Sequence, residues 1–427
     1  MRLRRLAAPL LAVAGFMSGA AQAAELTATQ ALGKLIFFDA NLSVNRNQSC
    51  ATCHAPGVGW TGPDLAVNAA GAVYAGSIHE RFGDRKPPSS AYATQSPVLH
   101  KQQKNPKKEA VFVGGQFWDG RATGERLGNP AAEQAQGPFL NPVEQALPSA
   151  ACVVHRVCTG AYWALARAVW GADACNIRWP ADPCGPQAAG SGVAQADAAR
   201  IDKTYDAIAL SIAAYEASPE SNAFTSKFDF AASGKAKLTA TEKLGRQLFE
   251  GKGKCGNCHV LTRAGKEGAL FTDFTFDNLG LPRNPANPVY ATDPTFVDKG
   301  LGGFLAGRPE YARYAEASLG KHKVPTLRNV DLRPEPGFVK AYGHNGYFKS
   351  LKGIVHFYNT RDVKPPCPLQ PDGRGYTETQ ATAGRCWPAP EVRQNVNASE
   401  MGNLKLTDAE EDAIVAFMKT LSDGYKP

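Results

Sequence analysis

No apolar run in this 427-residue sequence is long enough to cross a bilayer as a helix, which takes about 20 residues. The N-terminal run, Leu6 to Phe16, follows Arg2, Arg4 and Arg5 and precedes the small-residue stretch Ala21-Gln22-Ala23. Basic, then apolar, then small is the order of a cleavable secretory leader, assigned to residues 1–23. The mature chain is therefore expected to begin near Ala24, exported and without a transmembrane segment. Strand signals are scarce as well, which argues against a fold built on sheet. A strong charge excess is also missing: loss of the three leader arginines lowers the formal charge from +8 to +5. That balance gives no reason to expect a nucleic-acid partner. Methionine is rare, with four in the chain, and only Met401 and Met418 lie beyond residue 258.

Cysteine, by contrast, is plentiful and patterned. Cys50-Ala-Thr-Cys53-His54 and Cys255-Gly-Asn-Cys258-His259 both have the spacing of c-type haem attachment. The two thiols add to the porphyrin vinyl groups, and the adjacent imidazole becomes the proximal iron ligand. The flanks repeat too: Leu26-Thr-Ala-Thr-Gln-Ala-Leu32-Gly33 precedes the first motif and Leu238-Thr-Ala-Thr-Glu-Lys-Leu244-Gly245 the second. Two covalently bound haems c on two related domains are expected, and covalent haem in an exported chain suits a bacterial periplasm. The other six cysteines point to three disulfides. Cys367 and Cys386 share one Pro/Gly-rich insertion and are the expected pair; Cys152, Cys158, Cys175 and Cys184 are expected to pair among themselves. Lys101, Lys104, Lys107 and Lys108 read as a solvated loop, with steering of an acidic partner as the alternative.

Thr27 to Gln30, Thr239 to Glu242 and Thr407 to Glu410 each have capping-box spacing and start a helix. Tyr205 to Tyr215 reads as a helix, as does the end of the chain, with Ile414, Phe417, Met418 and Leu421 on one face. The polar stretch 231–237 is the expected boundary. The predicted architecture is mainly α, with two cytochrome c-like helical domains, 24–234 and 235–427, each carrying one haem among long loops.

Further strings carry a resemblance. Leu32-Gly-Lys-Leu-Ile-Phe-Phe-Asp39, Phe117-Trp-Asp-Gly-Arg121, Gly137-Pro-Phe-Leu-Asn-Pro-Val-Glu144, Val324-Pro-Thr-Leu-Arg-Asn329 and His356-Phe-Tyr-Asn359 occur in order along the chain. With the haem motifs, they resemble the bacterial di-haem cytochrome c peroxidases and their MauG-type relatives. The resemblance implies that the haem on His54 activates hydrogen peroxide, while the haem on His259 relays electrons from a small cytochrome c or cupredoxin. It also implies a distal pocket of Gln134, Pro138 and Glu144, with Glu144 moving the proton during oxygen–oxygen cleavage. Trp118 corresponds to the inter-haem position, and Arg121 is a candidate partner for a haem propionate.

Counting fourteen residues from His344 reaches Tyr358, the candidate sixth ligand of the second haem, with Met401 as the alternative. Tyrosine at this position is a MauG-type feature, whereas the peroxidases use methionine. Leu351, Ile354, Val355 and Tyr358 share a helical face behind Ser350 as N-cap. His79 and His100 are the candidate distal ligands of the first haem, with a surface histidine as the favoured reading; His155 and His322 have no recognisable context. Calcium binding by the family's Arg-x-x-Pro-Ser-x-x-Asn stretch departs here, because Tyr92 ends the corresponding segment from Arg85. Backbone carbonyls near Val339 and Ala341 remain as calcium donors. Three functions follow as rivals: peroxide reduction, MauG-type oxidation of a partner protein, and electron transfer without enzymatic activity. Homodimer formation is left open.

Overall fold

Each Cys-x-x-Cys-His motif follows a helix that begins in the same way. Thr27 and Thr239 cap the helices Ala28–Phe37 and Ala240–Glu250, each hydroxyl accepting the amide three residues on. Gln30 and Glu242 return the bond to the cap amide, which completes the expected capping boxes. The structure is a computed structural model that describes residues 25–103, 111–185, 193–261, 268–368, 370 and 375–427. The leader 1–23 and Lys104, Lys107 and Lys108 lie outside the described residues. Lys101 lies within them and donates to the Tyr314 hydroxyl at 2.8 Å.

The two cap helices cross their partners at glycines. A Cβ on Gly33 would stand 1.8 Å from the Ser211 carbonyl oxygen, in the helix Gln195–Glu216. A Cβ on Gly245 would stand 1.8 Å from the Ala413 carbonyl oxygen, in the helix Asp408–Lys419. Only a residue without Cβ permits such backbone contact. Aromatic rings close each crossing. Phe37, Trp60 and Tyr215 meet edge to face at 5.6–5.8 Å. In the second half Phe417 contacts Phe249 at 5.3 Å and Phe271 at 6.3 Å.

One apolar core gathers Leu32, Ile36, Phe139, Val153, Ile208 and Ile212, and another gathers Phe228, Leu248, Phe348, Phe357 and Ile414. A smaller cluster of Leu99, Phe112, Phe276, Leu301 and Leu305 joins the two halves. The fold is mainly helical. Among the described residues sheet is confined to two antiparallel pairs, His100–Gln102 with Val111–Val113 and Phe276–Asp277 with His322–Lys323. The expected Cys367–Cys386 disulfide is present; Cys152 pairs with Cys184 and Cys158 with Cys175. No described helix is long and apolar enough to cross a membrane.

Candidate haem clefts

Both haem motifs fold into a tight 3-10 turn, Cys50–Thr52 and Cys255–Asn257, that leaves the histidine at the edge of a cleft. The His54 Nδ1 lies 3.3 Å from the Trp60 carbonyl oxygen, and the His259 Nδ1 2.8 Å from that of Phe271. A carbonyl only accepts, so each contact places the proton on Nδ1 and leaves the Nε2 lone pair for a metal. Trp60 and Phe271 both take positive φ, 61° and 53°, a backbone outlier repeated at the same step of each half. Burial pushes the His54 pKa down to about 4 and lowers that of His259, favouring the neutral imidazole a ligand requires. Cys50, Cys53, Cys255 and Cys258 stay outside the disulfides. Burial raises all four thiols, Cys53 and Cys255 to about 12. Two unpaired thiols, one oriented neutral imidazole and largely apolar walls in each cleft fit a covalently held haem.

The first cleft is lined by Cys50, Cys53 and His54 together with Gln134, Pro138 and Glu144. Gln134 and Pro138 come from the helix Pro130–Leu140. Glu144 is fixed from the turn that follows, where Asn141 Nδ2 donates to its Oε1 at 3.0 Å. Burial raises the Glu144 pKa, and the charge of Arg121 opposes that shift. Arg121 also lines the cleft, bonded to Asp119 at 2.9 Å and stacked 3.8 Å over Phe117. Neither His79 nor His100 lines it: His79 Nε2 sits 3.3 Å from Asn47 Nδ2, and His100 is exposed on a strand. The motifs do not include Gln48, Gln145 and Glu216, which also line this cleft, each with a buried oxygen that has no hydrogen-bond partner among the described residues. They come from separate segments, and no local pattern connects them.

Tyr358 lines the second cleft with Cys255, Cys258 and His259. Its helix, Leu351–Thr360, is capped as expected by Ser350, and Leu351, Ile354 and Val355 line the cleft beside it. Burial raises the tyrosine pKa, so the protein alone holds the phenol neutral; a metal cation at the hydroxyl would favour its ionised form. Met401 lines the same cleft, as does Met418, which is also helix core at 5% exposure.

Trp118 lines both clefts. Its indole N–H donates to the Lys86 carbonyl at 2.8 Å, and its own carbonyl accepts from the Lys323 amide at 2.8 Å. Beside it His344 stacks on His322 with ring centroids 3.5 Å apart, so His322 gains a context that sequence alone did not supply. At the departed calcium stretch, the Tyr92 hydroxyl donates to Asp423, and the Val339 carbonyl accepts from Asn68. Between Val339 and Ala341, the buried Lys340 ammonium donates to the carbonyls of Val58, Asn329 and Leu332. The Lys340 Nζ, whose pKa burial lowers to about 7, thus occupies carbonyl oxygens from both halves.

The family model described as di-haem cytochrome c peroxidase matches residues 27–237. Methylamine utilization protein MauG of Paracoccus denitrificans is 34% identical over 405 residues, covering 94% of this chain and 90% of MauG. Cytochrome c551 peroxidase of Pseudomonas aeruginosa is 31% identical, over 76% of this chain and 69% of that protein. The diheme peroxidase BthA of Burkholderia thailandensis superposes with a TM-score of 0.70 at 30% identity, covering 93% of this chain and 86% of BthA.

Proposed function

The chain belongs to the di-haem cytochrome c peroxidase family, an oxidoreductase with haem c cofactors, and from that premise we propose that it reduces hydrogen peroxide at its N-terminal cleft. The observation that carries this reading is the half-buried Glu144 carboxyl, which shares that cleft with Gln134, Pro138 and His54 and has a raised pKa. Haem iron on His54 would supply the redox centre for oxygen–oxygen cleavage. Glu144 takes the proton of one peroxide oxygen and returns it to the other as the bond breaks. Two electrons and two further protons complete the reduction to two waters. Cys255, Cys258 and His259 would hold the haem that relays electrons from a small cytochrome c or cupredoxin, and Trp118 lines both clefts. The work is done in the periplasm after loss of the leader. Family membership in an oxidoreductase enzyme group removes the reading as a mere electron carrier.

Glu144→Gln tests the assignment, since it keeps the side chain's size and removes its acid–base chemistry. Peroxide consumption by the two-haem protein should fall about 100-fold or more, with both haems still attached. An unchanged rate removes Glu144 from the mechanism. A second reading is MauG-type oxidation of side chains on a partner protein, and Tyr358 in the second cleft favours it.

A further inference from the structure

The helix crossings put the two halves in register residue by residue. Gly33 faces Ser211 and the Cβ of Tyr215, while Gly245 faces Ala413 and the Cβ of Phe417. Tyr215 and Phe417 are therefore equivalent, and so are the residues that follow them, Glu216 and Met418. Both are buried, at 3% and 5% exposure, and each lines the haem cleft of its own half. The repeat thus sets a carboxyl beside the first haem where it sets a thioether beside the second.

The surroundings of Glu216 do not hold it ionised. Its Oε2 has no hydrogen-bond partner, and it forms no ion pair among the described residues. The ionisable groups lining the cleft with it are Cys50, Cys53, His54, Tyr74, Asp84, Arg85, Arg121 and Glu144, and the neighbouring Tyr215 is bonded to Glu220. The two cations are committed elsewhere: Arg85 binds Asp119 and Asp298, and Arg121 binds Asp119. Burial alone pushes the Glu216 pKa up to about 8, so the side chain is a neutral acid below that pH and a carboxylate able to take up a proton above it.

We propose that Glu216 is a proton-holding group of the N-terminal haem cleft, binding a proton as that haem gains an electron and releasing it as the haem is oxidised. An added electron and a buried carboxylate repel each other strongly where little water screens them. Uptake of one solvent proton, converting the carboxylate to the acid, balances the added charge; oxidation reverses both changes. The inference rests on the first cleft being a haem site. The proton so held is available to peroxide reduction, which consumes two.

The test is the pH dependence of both haem midpoint potentials in the intact two-haem protein, titrated with a chemical reductant and read from haem-resolved spectra. In the wild type the reduction equilibrium of the first haem should change by up to about tenfold per pH unit above about pH 8, where the oxidised protein holds the carboxylate and the reduced protein the acid, and flatten below it, while the second responds less. Glu216→Gln should flatten the first response and leave the second unchanged. Glu216→Met, which copies the other half, should do the same and serves if the glutamine variant folds poorly. Retention of the wild-type slope in either folded variant overturns the proposal. Peroxide consumption is measured separately: its absence in the wild type would overturn the peroxidase reading, while the slope would still judge Glu216.

Discussion

Tyr358 is the side chain on which the two proposed chemistries of this scaffold divide. A tyrosinate ligand is a hard anion that favours ferric iron, whereas a thioether favours ferrous iron. Tyr358 and Met401 line one cleft, so both donors are within the same enclosure. Tyr358→Met should therefore raise the potential of the second haem by a sizeable part of the roughly 0.8 V that axial ligands span. It should also change that haem's absorption and electron paramagnetic resonance spectra. Unchanged spectra and potential would remove Tyr358 as ligand, and with it the specific support for oxidation of a partner protein. The position of Tyr358 was legible from sequence because Leu351, Ile354 and Val355 mark its helical face and Ser350 its start. Glu216 was not legible in that way. It reads as one polar residue at the end of an apolar stretch, and only the crossing with Ala28–Phe37 shows that it faces a cleft.

At the scale of elements, the helix pairs carry the duplication more strictly than the loops do. The capping boxes at Thr27 and Thr239 are local, so four residues of sequence reveal them. The partner of each cap helix is distant in the chain, and Gly33 and Gly245 advertise it only by lacking a side chain. Because the Gly245 Cβ position lies 1.8 Å from a backbone oxygen, no rotamer change can relieve a methyl group there. Gly245→Ala should force Ala240–Glu250 away from Asp408–Lys419 and destabilise the C-terminal half by about 1–3 kcal/mol or more. Thermal unfolding followed at the second haem's optical signal should drop, and Gly33→Ala should do the same at the first. Wild-type unfolding in both variants would mean that the crossings tolerate separation. The disulfide pattern divides along the same local boundary. Cys367 and Cys386 could be paired from their shared insertion, whereas the choice among Cys152, Cys158, Cys175 and Cys184 depended on how Ala150–Thr159 packs beside the loop that follows it.

Across the whole molecule, duplication supplies two similar clefts and a few substitutions make them unequal. The first holds Glu144, Gln134, Pro138 and Glu216; the second holds Tyr358, Met401 and Met418. Unequal sites are useful only if charge moves between them, and the wall they share includes Phe117 and Trp118. Trp118 is tied to both halves through its backbone bond from Lys323 and its indole bond to Lys86. Trp118→Phe keeps an aromatic ring in the wall and removes the indole N–H, at a cost in stability of about 1 kcal/mol. Both haems should still attach and keep their spectra. If the indole is the bridge, electron equilibration between the haems after rapid partial reduction should slow by at least about tenfold, equivalent to about 1.4 kcal/mol in barrier. Equilibration at the wild-type rate, with both spectra intact, would move the route to other groups of the shared wall. In that case Trp118 would be a packing residue that joins the halves, and the two clefts would owe their coupling to proximity alone.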